Sequence, residues 1–295
     1  MMEAIVPIVT PFTRDNALDK AKLKEHAENL IEKGIDAIFL NGTTGMGPSL
    51  SAEEKKEALK TVYDVTDKVI FQLGGLNLDD VLSLLSFSKD FSILGVASYS
   101  PYYYPGLPSK WVVKYFKAIV EKSPHPVYIY NYPQATNFDV TPQLIEEIGG
   151  VTGIKDTNDD FVHSLRYKRF TNLKVYNGSD YLTLQSLTFL DGTVTAGGNY
   201  MPELLVLQKR LVSQGKVAEA LQVQETYYKF LDLARKYGMM ASHYVLVKEL
   251  QGYDVGYPRP PIFPLTQEEV EGITREVREL RKEYLYLLDK YGVTS

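Results

Sequence analysis

A lysine at the end of a short apolar stretch is the residue best suited to covalent chemistry in this chain of 295 residues. Val151-Thr152-Gly153-Ile154-Lys155-Asp156 reads as a strand, β-branched at Val151 and Ile154, that runs into Lys155. Asp156, Thr157 and Asn158 then signal a helix start ahead of an amphipathic run from Asp159 to Phe170. Burial at such a strand end disfavours the ammonium form and lowers the lysine pKa. The neutral amine is the form that attacks a ketone to give a Schiff base. A second reading stays open, in which Lys155 reaches out of the strand end to a carboxylate such as Asp156.

Other stretches hold residues of the right type. Asn41-Gly42-Thr43-Thr44-Gly45-Met46-Gly47 places three glycines around two hydroxyls, a tight loop whose backbone N–H groups can face an anion. No lysine follows the last glycine, so the pattern is not a nucleotide phosphate loop, and a carboxylate fits better. Pro101-Tyr102-Tyr103-Tyr104-Pro105 is a rigid, exposed aromatic segment, suited to a subunit interface, to catalysis or to both. Tyr130-Asn131-Tyr132-Pro133 ends another apolar run, and a phenol there relays a proton if hydroxyls hold it. Asn177-Gly178-Ser179-Asp180 and Ala196-Gly197-Gly198-Asn199 bring backbone close to a ligand, or are plain turns. His26, His125, His163 and His243 show no close spacing, so they are expected to be surface or packing residues, with no metal site. Asp79-Asp80 and Asp159-Asp160 lie at helix starts, where carboxylates complement the helix dipole, and no chemistry is assigned to them.

These stretches need a scaffold that puts them side by side. Strand-length apolar runs alternate with helical patterns: Ala4–Val9 with Leu18–Lys33, Ala37–Leu40 with Ser51–Val65, Val69–Leu73 with Leu78–Lys89, Ile93–Ala97 with Lys110–Glu121. The second half continues with Val127–Tyr130 and Thr141–Ile148, Val151–Lys155 and Asp159–Phe170, Leu173–Tyr176 and Tyr181–Leu190, Gly192–Ala196 and Met201–Val212. Such alternation implies parallel strands with crossover helices, and eight units point to a closed (β/α)8 TIM barrel of the α/β class. An open doubly wound sheet would call for a Gly-x-Gly-x-x-Gly turn after the first strand, where the chain has Pro7-Ile8-Val9-Thr10-Pro11. The barrel is expected over residues 1–212. Residues 213–295 hold the helical patterns Lys216–Tyr237, Ser242–Gln251 and Thr266–Tyr291, expected to pack on the barrel as one structural unit. In such a barrel the catalytic groups lie at the carboxyl ends of the strands and in the loops after them, where these stretches fall.

A net charge of −5 argues against nucleic acid and anionic membrane as partners. The absence of cysteine excludes disulfides, thiolate nucleophiles and cysteine–metal sites. No apolar window is long enough for a membrane span, and the amino-terminal residues show no signal-peptide pattern, so a cytoplasmic protein is expected.

Gly42-Thr43-Thr44-Gly45, Tyr103 within Pro-Tyr-Tyr-Tyr, Tyr130-Asn131-Tyr132-Pro133 and Gly153-Ile154-Lys155-Asp156 together resemble the dihydrodipicolinate synthase/N-acetylneuraminate lyase superfamily over the whole chain. Ala97-Ser98-Tyr99, Gly252-Tyr253-Asp254 and Tyr257-Pro258-Arg259-Pro260-Pro261-Ile262-Phe263-Pro264 are most similar to its archaeal 2-keto-3-deoxygluconate aldolases. The resemblance implies that Lys155 forms a Schiff base with the keto carbon of a sugar acid, with no metal or organic cofactor. It implies that Tyr130 is the acid/base, and that Thr43 relays protons with Tyr103 from a neighbouring subunit. Thr44 and adjacent N–H groups would hold the pyruvyl carboxylate. Gly42, Pro7, Tyr132, Gly178, Ser179, Ala196 and Gly197 would contact the rest of the substrate, and Arg235 its tail or a phosphate. The implied reaction is reversible cleavage of 2-keto-3-deoxygluconate to pyruvate and glyceraldehyde by a homotetramer. Gly106 stands where relatives taking the phosphorylated substrate carry arginine, so preference for the unphosphorylated acid is expected. Met46 departs from the common glutamate and makes that end of the loop less polar. Ala135 stands where dihydrodipicolinate synthases carry arginine, which weakens that alternative. A barrel that only binds a ligand is the third reading, and the intact Lys155, Tyr130 and Thr43 argue against it.

Overall fold

In the computed structural model eight parallel strands pair in sequence order, and β1 pairs with β8 to close the ring. The structure describes residues 2–293. The barrel strands are β1 Glu3–Pro7, β2 Ala37–Leu40, β3 Val69–Gln72, β4 Gly95–Tyr99, β5 Val127–Asn131, β6 Gly153–Asp156, β7 Lys174–Asn177 and β8 Gly192–Val194. The helices between and after them are α1 Lys20–Glu32, α2 Ala52–Tyr63, α3 Leu78–Ser88, α4 Ser109–Lys122, the short α5 Pro133–Thr136, α6 Pro142–Ile148, α7 Phe161–Phe170, α8 Thr183–Phe189 and α9 Pro202–Ser213. Three more, α10 Val217–Tyr237, α11 Met239–Gln251 and α12 Gln267–Lys290, follow the barrel.

These elements have local physical causes. Helix α2 starts at a capping box in which Ser51 Oγ accepts from the Glu54 N–H and Glu54 Oε2 accepts from the Ser51 N–H, at 3.2 and 2.8 Å. Such a cap contributes about 1 kcal/mol. The same device starts α12 at Thr266 and Glu269. The main core lies between the strands and the helix layer, and apolar residues of α10, α11 and α12 join it, among them Phe230, Leu246 and Val277. A separate cluster fills the barrel interior with Ile5, Phe39, Ile70, Ala97, Tyr128, Tyr130, Tyr176 and Val194.

Some expected boundaries shift. The fourth strand is Gly95–Tyr99 rather than Ile93–Ala97, and the sixth is Gly153–Asp156 rather than Val151–Lys155. Ile93 is buried without being in a strand, so its apolar character marks packing and not pairing. Ala196 lies in a 3-10 turn, Ala196–Asn199, beyond the end of β8.

Strand register divides the residues at the carboxyl ends of β5, β6 and β7 into two rows. Tyr130 on β5, Lys155 on β6 and Tyr176 on β7 are cross-strand partners, as are Asn131, Asp156 and Asn177. Successive strand residues point to opposite faces. The first row therefore looks into the barrel and the second into the helix layer, where Asn131, Asp156 and Asn177 are wholly buried.

Candidate active site

Lys155 ends inside the barrel mouth, 5% exposed, with Nζ 4.0 Å from the ring centre of Tyr130 and 4.6 Å from that of Phe39. Burial lowers its pKa to about 7, and the carboxylate of Asp180 opposes that shift. Near neutral pH about half of such an amine is free, roughly 10³-fold more than for a lysine of ordinary pKa. The alternative partner Asp156 is ruled out, because its carboxylate accepts from Asn131, His163 and Ser164 on the other face of the sheet. Asp180 is the carboxylate on the lysine's side. Burial raises its pKa to about 6, against the hydrogen bond that its Oδ1 accepts from the Gly197 N–H at 2.7 Å.

Tyr130 is buried beside the lysine, and its hydroxyl lies 3.0 Å from Thr43 Oγ1. Burial raises the phenol pKa while the Thr43 hydrogen bond lowers it. Thr43 sits in a loop set by its own backbone: Asn41 and Met46 adopt left-handed conformations, and the N–H groups of Met46 and Gly47 donate to Thr43 O and Gly42 O. Thr10 Oγ1 donates to Gly45 O at 2.6 Å and ties the loop to the segment after β1. Among the described residues the N–H groups of Thr43 and Thr44 have no acceptor within the chain, which leaves them for an anion. Met46 turns away from the site and packs with Phe12 and Leu50.

A cavity of about 200 Å³ opens beside Gly178 and Asp180, the lysine's neighbours, and is lined by Tyr132, Thr157, Asp159, Gly178, Ser179, Asp180, Tyr181 and Arg235 among others. Tyr132 stacks on Tyr130 at 6.0 Å and separates this cavity from a second of about 150 Å³, lined by Thr43, Pro48, Tyr99, Tyr102, Tyr132, Ala135 and Thr136. Two glycines are required by close approach. A Cβ on Gly178 would lie 2.3 Å from Thr157 Oγ1 and 2.9 Å from Lys155 Cε, and one on Gly197 would lie 2.3 Å from the Tyr227 hydroxyl.

Of the residues expected from sequence, Lys155, Tyr130, Thr43, Tyr132, Gly178, Ser179 and Gly197 converge on this mouth, and Thr44 follows Thr43 in its loop. Ser179 Oγ already donates to Asp159 Oδ1 at 2.7 Å, so its hydroxyl is engaged. Gly42 and Pro7 lie lower, Gly42 packed on Phe39 and the Pro7 carbonyl accepting from Asn199 Nδ2, so both shape the loop from beneath. Ala196 is buried, and its carbonyl accepts from Asn199. Arg235 lines the cavity with its guanidinium 4.3 Å from the Tyr181 ring centre. Tyr103 is the exception: its ring is 81% exposed.

Sequence reasoning passed over three side chains. Asp180 was visible only as part of a turn. Asp159, read as a helix-start residue, lines the cavity. Thr157 also lines it, and its buried Oγ1 lies outside regular hydrogen-bond geometry yet near enough to the Tyr130 hydroxyl to help lower that phenol's pKa. A hydroxyl two residues after the lysine was the available signal for Thr157.

The fold and this mouth define a lysine-centred barrel, and comparison with known proteins places it. Residues 1–280 match the dihydrodipicolinate synthetase family, to which the chain belongs. It is 56% identical over 290 residues to the 2-dehydro-3-deoxy-phosphogluconate/2-dehydro-3-deoxy-6-phosphogalactonate aldolase of Saccharolobus solfataricus, covering 97% of this chain and 98% of that one. With the 2-dehydro-3-deoxy-D-gluconate/2-dehydro-3-deoxy-phosphogluconate aldolase of Thermoproteus tenax it shares 38% over 270 residues, 91% of this chain and 88% of that one. Among solved structures, the Sulfolobus 2-keto-3-deoxygluconate aldolase in complex with D-KDPG superposes with a TM-score of 0.95 at 55% identity, over 97% of this chain and 98% of that one.

Proposed function

We propose that the chain is a Schiff-base aldolase that reversibly cleaves 2-keto-3-deoxygluconate and its 6-phosphate to pyruvate and glyceraldehyde or its phosphate. The observation that carries this reading is the buried amine of Lys155, held partly neutral near pH 7 against the face of Tyr130. The amine attacks the C2 ketone, water leaves, and a protonated imine forms. The unpaired N–H groups of Thr43 and Thr44 receive the C1 carboxylate. Tyr130, through the Thr43 hydroxyl, takes the proton of the C4 hydroxyl as the C3–C4 bond breaks. The bonding electrons pass to the iminium nitrogen, the aldehyde departs, and protonation of the enamine at C3 followed by hydrolysis returns pyruvate and the free lysine.

The relatives support this assignment, since the Saccharolobus and Thermoproteus proteins carry aldolase names that include phosphorylated substrates. Arg235, the cation in the cavity lining, favours acceptance of a phosphorylated tail. The expected preference for the unphosphorylated acid then rests on Gly106 alone, which supplies no side chain. The dihydrodipicolinate synthase alternative is weaker: Ala135 lines the second cavity, whose lining carries no cation for a second carboxylate. Assembly into a homotetramer is part of the same reading, supported by the exposed rings of Tyr103, Tyr104 and Trp111.

Borohydride reduction in the presence of pyruvate tests the chemistry, with kcat/KM for both sugar acids alongside. A stable adduct on Lys155, absent from a folded Lys155→Ala variant, is expected together with cleavage of both acids. Turnover by Lys155→Ala would overturn the reading.

A further inference from the structure

Behind the site, on the helix side of the sheet, lies a buried charged cluster that the reaction as derived does not use. Three of its members come directly after inward-facing residues at the carboxyl ends of β5, β6 and β7. Asn131 succeeds Tyr130, Asp156 succeeds Lys155, and Asn177 succeeds Tyr176, in register on three adjacent strands. Asp156 Oδ1 accepts from Asn131 Nδ2 at 3.0 Å, and its Oδ2 accepts from Ser164 Oγ at 2.6 Å and from His163 Nδ1 at 2.9 Å. Asn177 Nδ2 donates to Ser164 Oγ at 2.9 Å, so the third strand joins the same knot. His163 Nε2 donates at 3.1 Å to Asp139 Oδ2, whose Oδ1 accepts from Asn131 at 2.9 Å. Asp139 comes after α5 and leads into the start of α6.

Both ring nitrogens of His163 face carboxylate oxygens. A neutral imidazole has one N–H and would leave one lone pair against a carboxylate, whereas the imidazolium donates to both. The charge count agrees, since a wholly buried Asp156 needs a cation and His163 is the one in contact with it.

We propose that His163, as an imidazolium bridging Asp156 and Asp139, is a positioning residue that fixes the ends of β5 and β6 and thereby sets the Tyr130–Lys155 geometry, so that loss of its ring proton closes the alkaline side of the reaction. The proposal rests on the aldolase function proposed for Lys155. Other groups facing the ring are few: Asp156 from β6, Asp139 from the segment after α5, and Tyr167 from its own helix, whose Arg166 acts on Asp139 instead. Hydrogen bonds to Asp139 and then Asp156 raise the His163 pKa to about 9, against desolvation. Burial pushes the Tyr167 phenol far above its ordinary value, so it does not titrate in this range. The bridge is therefore complete below about pH 9 and is lost as pH rises through that value. Activity should rise through about pH 7 as Lys155 gives up its proton and fall near pH 9 as His163 gives up its own.

Asp139→Asn is the variant of choice, because that carboxylate lies at the partly exposed outer end of the cluster and away from substrate. It should move the alkaline limb of kcat down by about one pH unit or more and leave the acid limb in place, since Lys155 is on the opposite face. The imidazole titration of His163 measured by NMR should move with it. His163→Gln, neutral and unable to bridge both carboxylates, should lower kcat about tenfold or more with KM little changed. It should also abolish that limb. Native protein that fails to trap pyruvate with borohydride would sink the aldolase reading itself. If native protein traps pyruvate, an alkaline limb that stays put while the His163 titration moves would overturn the proposal. So would variants that lose thermal stability but keep kcat and its pH profile.

Discussion

In the proposed reaction Tyr130 and Lys155 divide the chemistry between them, and a change at either should leave a different trace. Tyr130→Phe keeps the ring on which the amine rests and removes only the hydroxyl held by Thr43. Pyruvate should still be trapped by borohydride, while cleavage slows by roughly 10²–10⁴-fold. Equal loss of trapping and cleavage would mean that the phenol serves imine formation and not the bond-breaking step. On the acid side the pH dependence of trapping follows the Lys155 amine. Below about pH 7 the amine is protonated and cannot attack, so the trapping rate at fixed pyruvate should fall as pH falls through that value. A rate that climbs only towards pH 10 would show a lysine of ordinary pKa. Among single residues the sequence was informative about the nucleophile and silent about its electrostatic partner. The Asp156 alternative stays open while the strand is expected to end at Lys155; with the strand running to Asp156 the two residues face apart. Asp180 comes close only through the turn after β7, and no local pattern announces that.

The strand ends, more than any single side chain, set the dimensions of the mouth. Gly178 comes directly after β7, and any side chain there enters the space of Thr157 and Lys155. Gly178→Ala should therefore lower kcat/KM by up to about 100-fold, the effect expected of a displacement near 1 Å at the reacting centre. Overpacking of this kind costs about 1–3 kcal/mol, a loss of a few degrees in Tm that leaves the barrel folded. A variant with native kcat/KM would show that the close approach is incidental. The eight strands and their order were legible because parallel strands buried on both faces read as apolar runs between amphipathic helices. Their ends were less so: Tyr99 and Asp156 pair at the edge of the barrel although their neighbours carry little apolar signal, whereas Ile93 is apolar and unpaired. The outward row of Asn131, Asp156 and Asn177 was hidden for the same reason. Polar residues at strand ends look like loop until the register places them side by side.

At the scale of the whole molecule, the assembly proposed above gives Tyr103 a place that a single chain does not. It is a non-glycine residue with φ of 72°, and its ring is packed edge-on against Tyr104 while remaining largely exposed. A bulky residue in the left-handed region costs of order 1–3 kcal/mol and persists where surrounding structure or function requires it. Among the described residues only Tyr104 is packed against the ring, and Tyr104, like Trp111 at the start of α4, is itself more than half exposed. In the proposed assembly a second copy of the chain covers these rings and receives Tyr103 next to its own Thr43. Co-expression of a Lys155→Ala chain with a Tyr103→Phe chain distinguishes the two possibilities. If Tyr103 acts across an interface, a mixed pair has one site carrying both lesions and one carrying neither, so activity returns although each variant alone is impaired. If Tyr103 acts within its own chain, every site in the mixture keeps a lesion and no activity returns. We expect recovery, accompanied by loss of native activity on dilution to the point where sedimentation shows single chains.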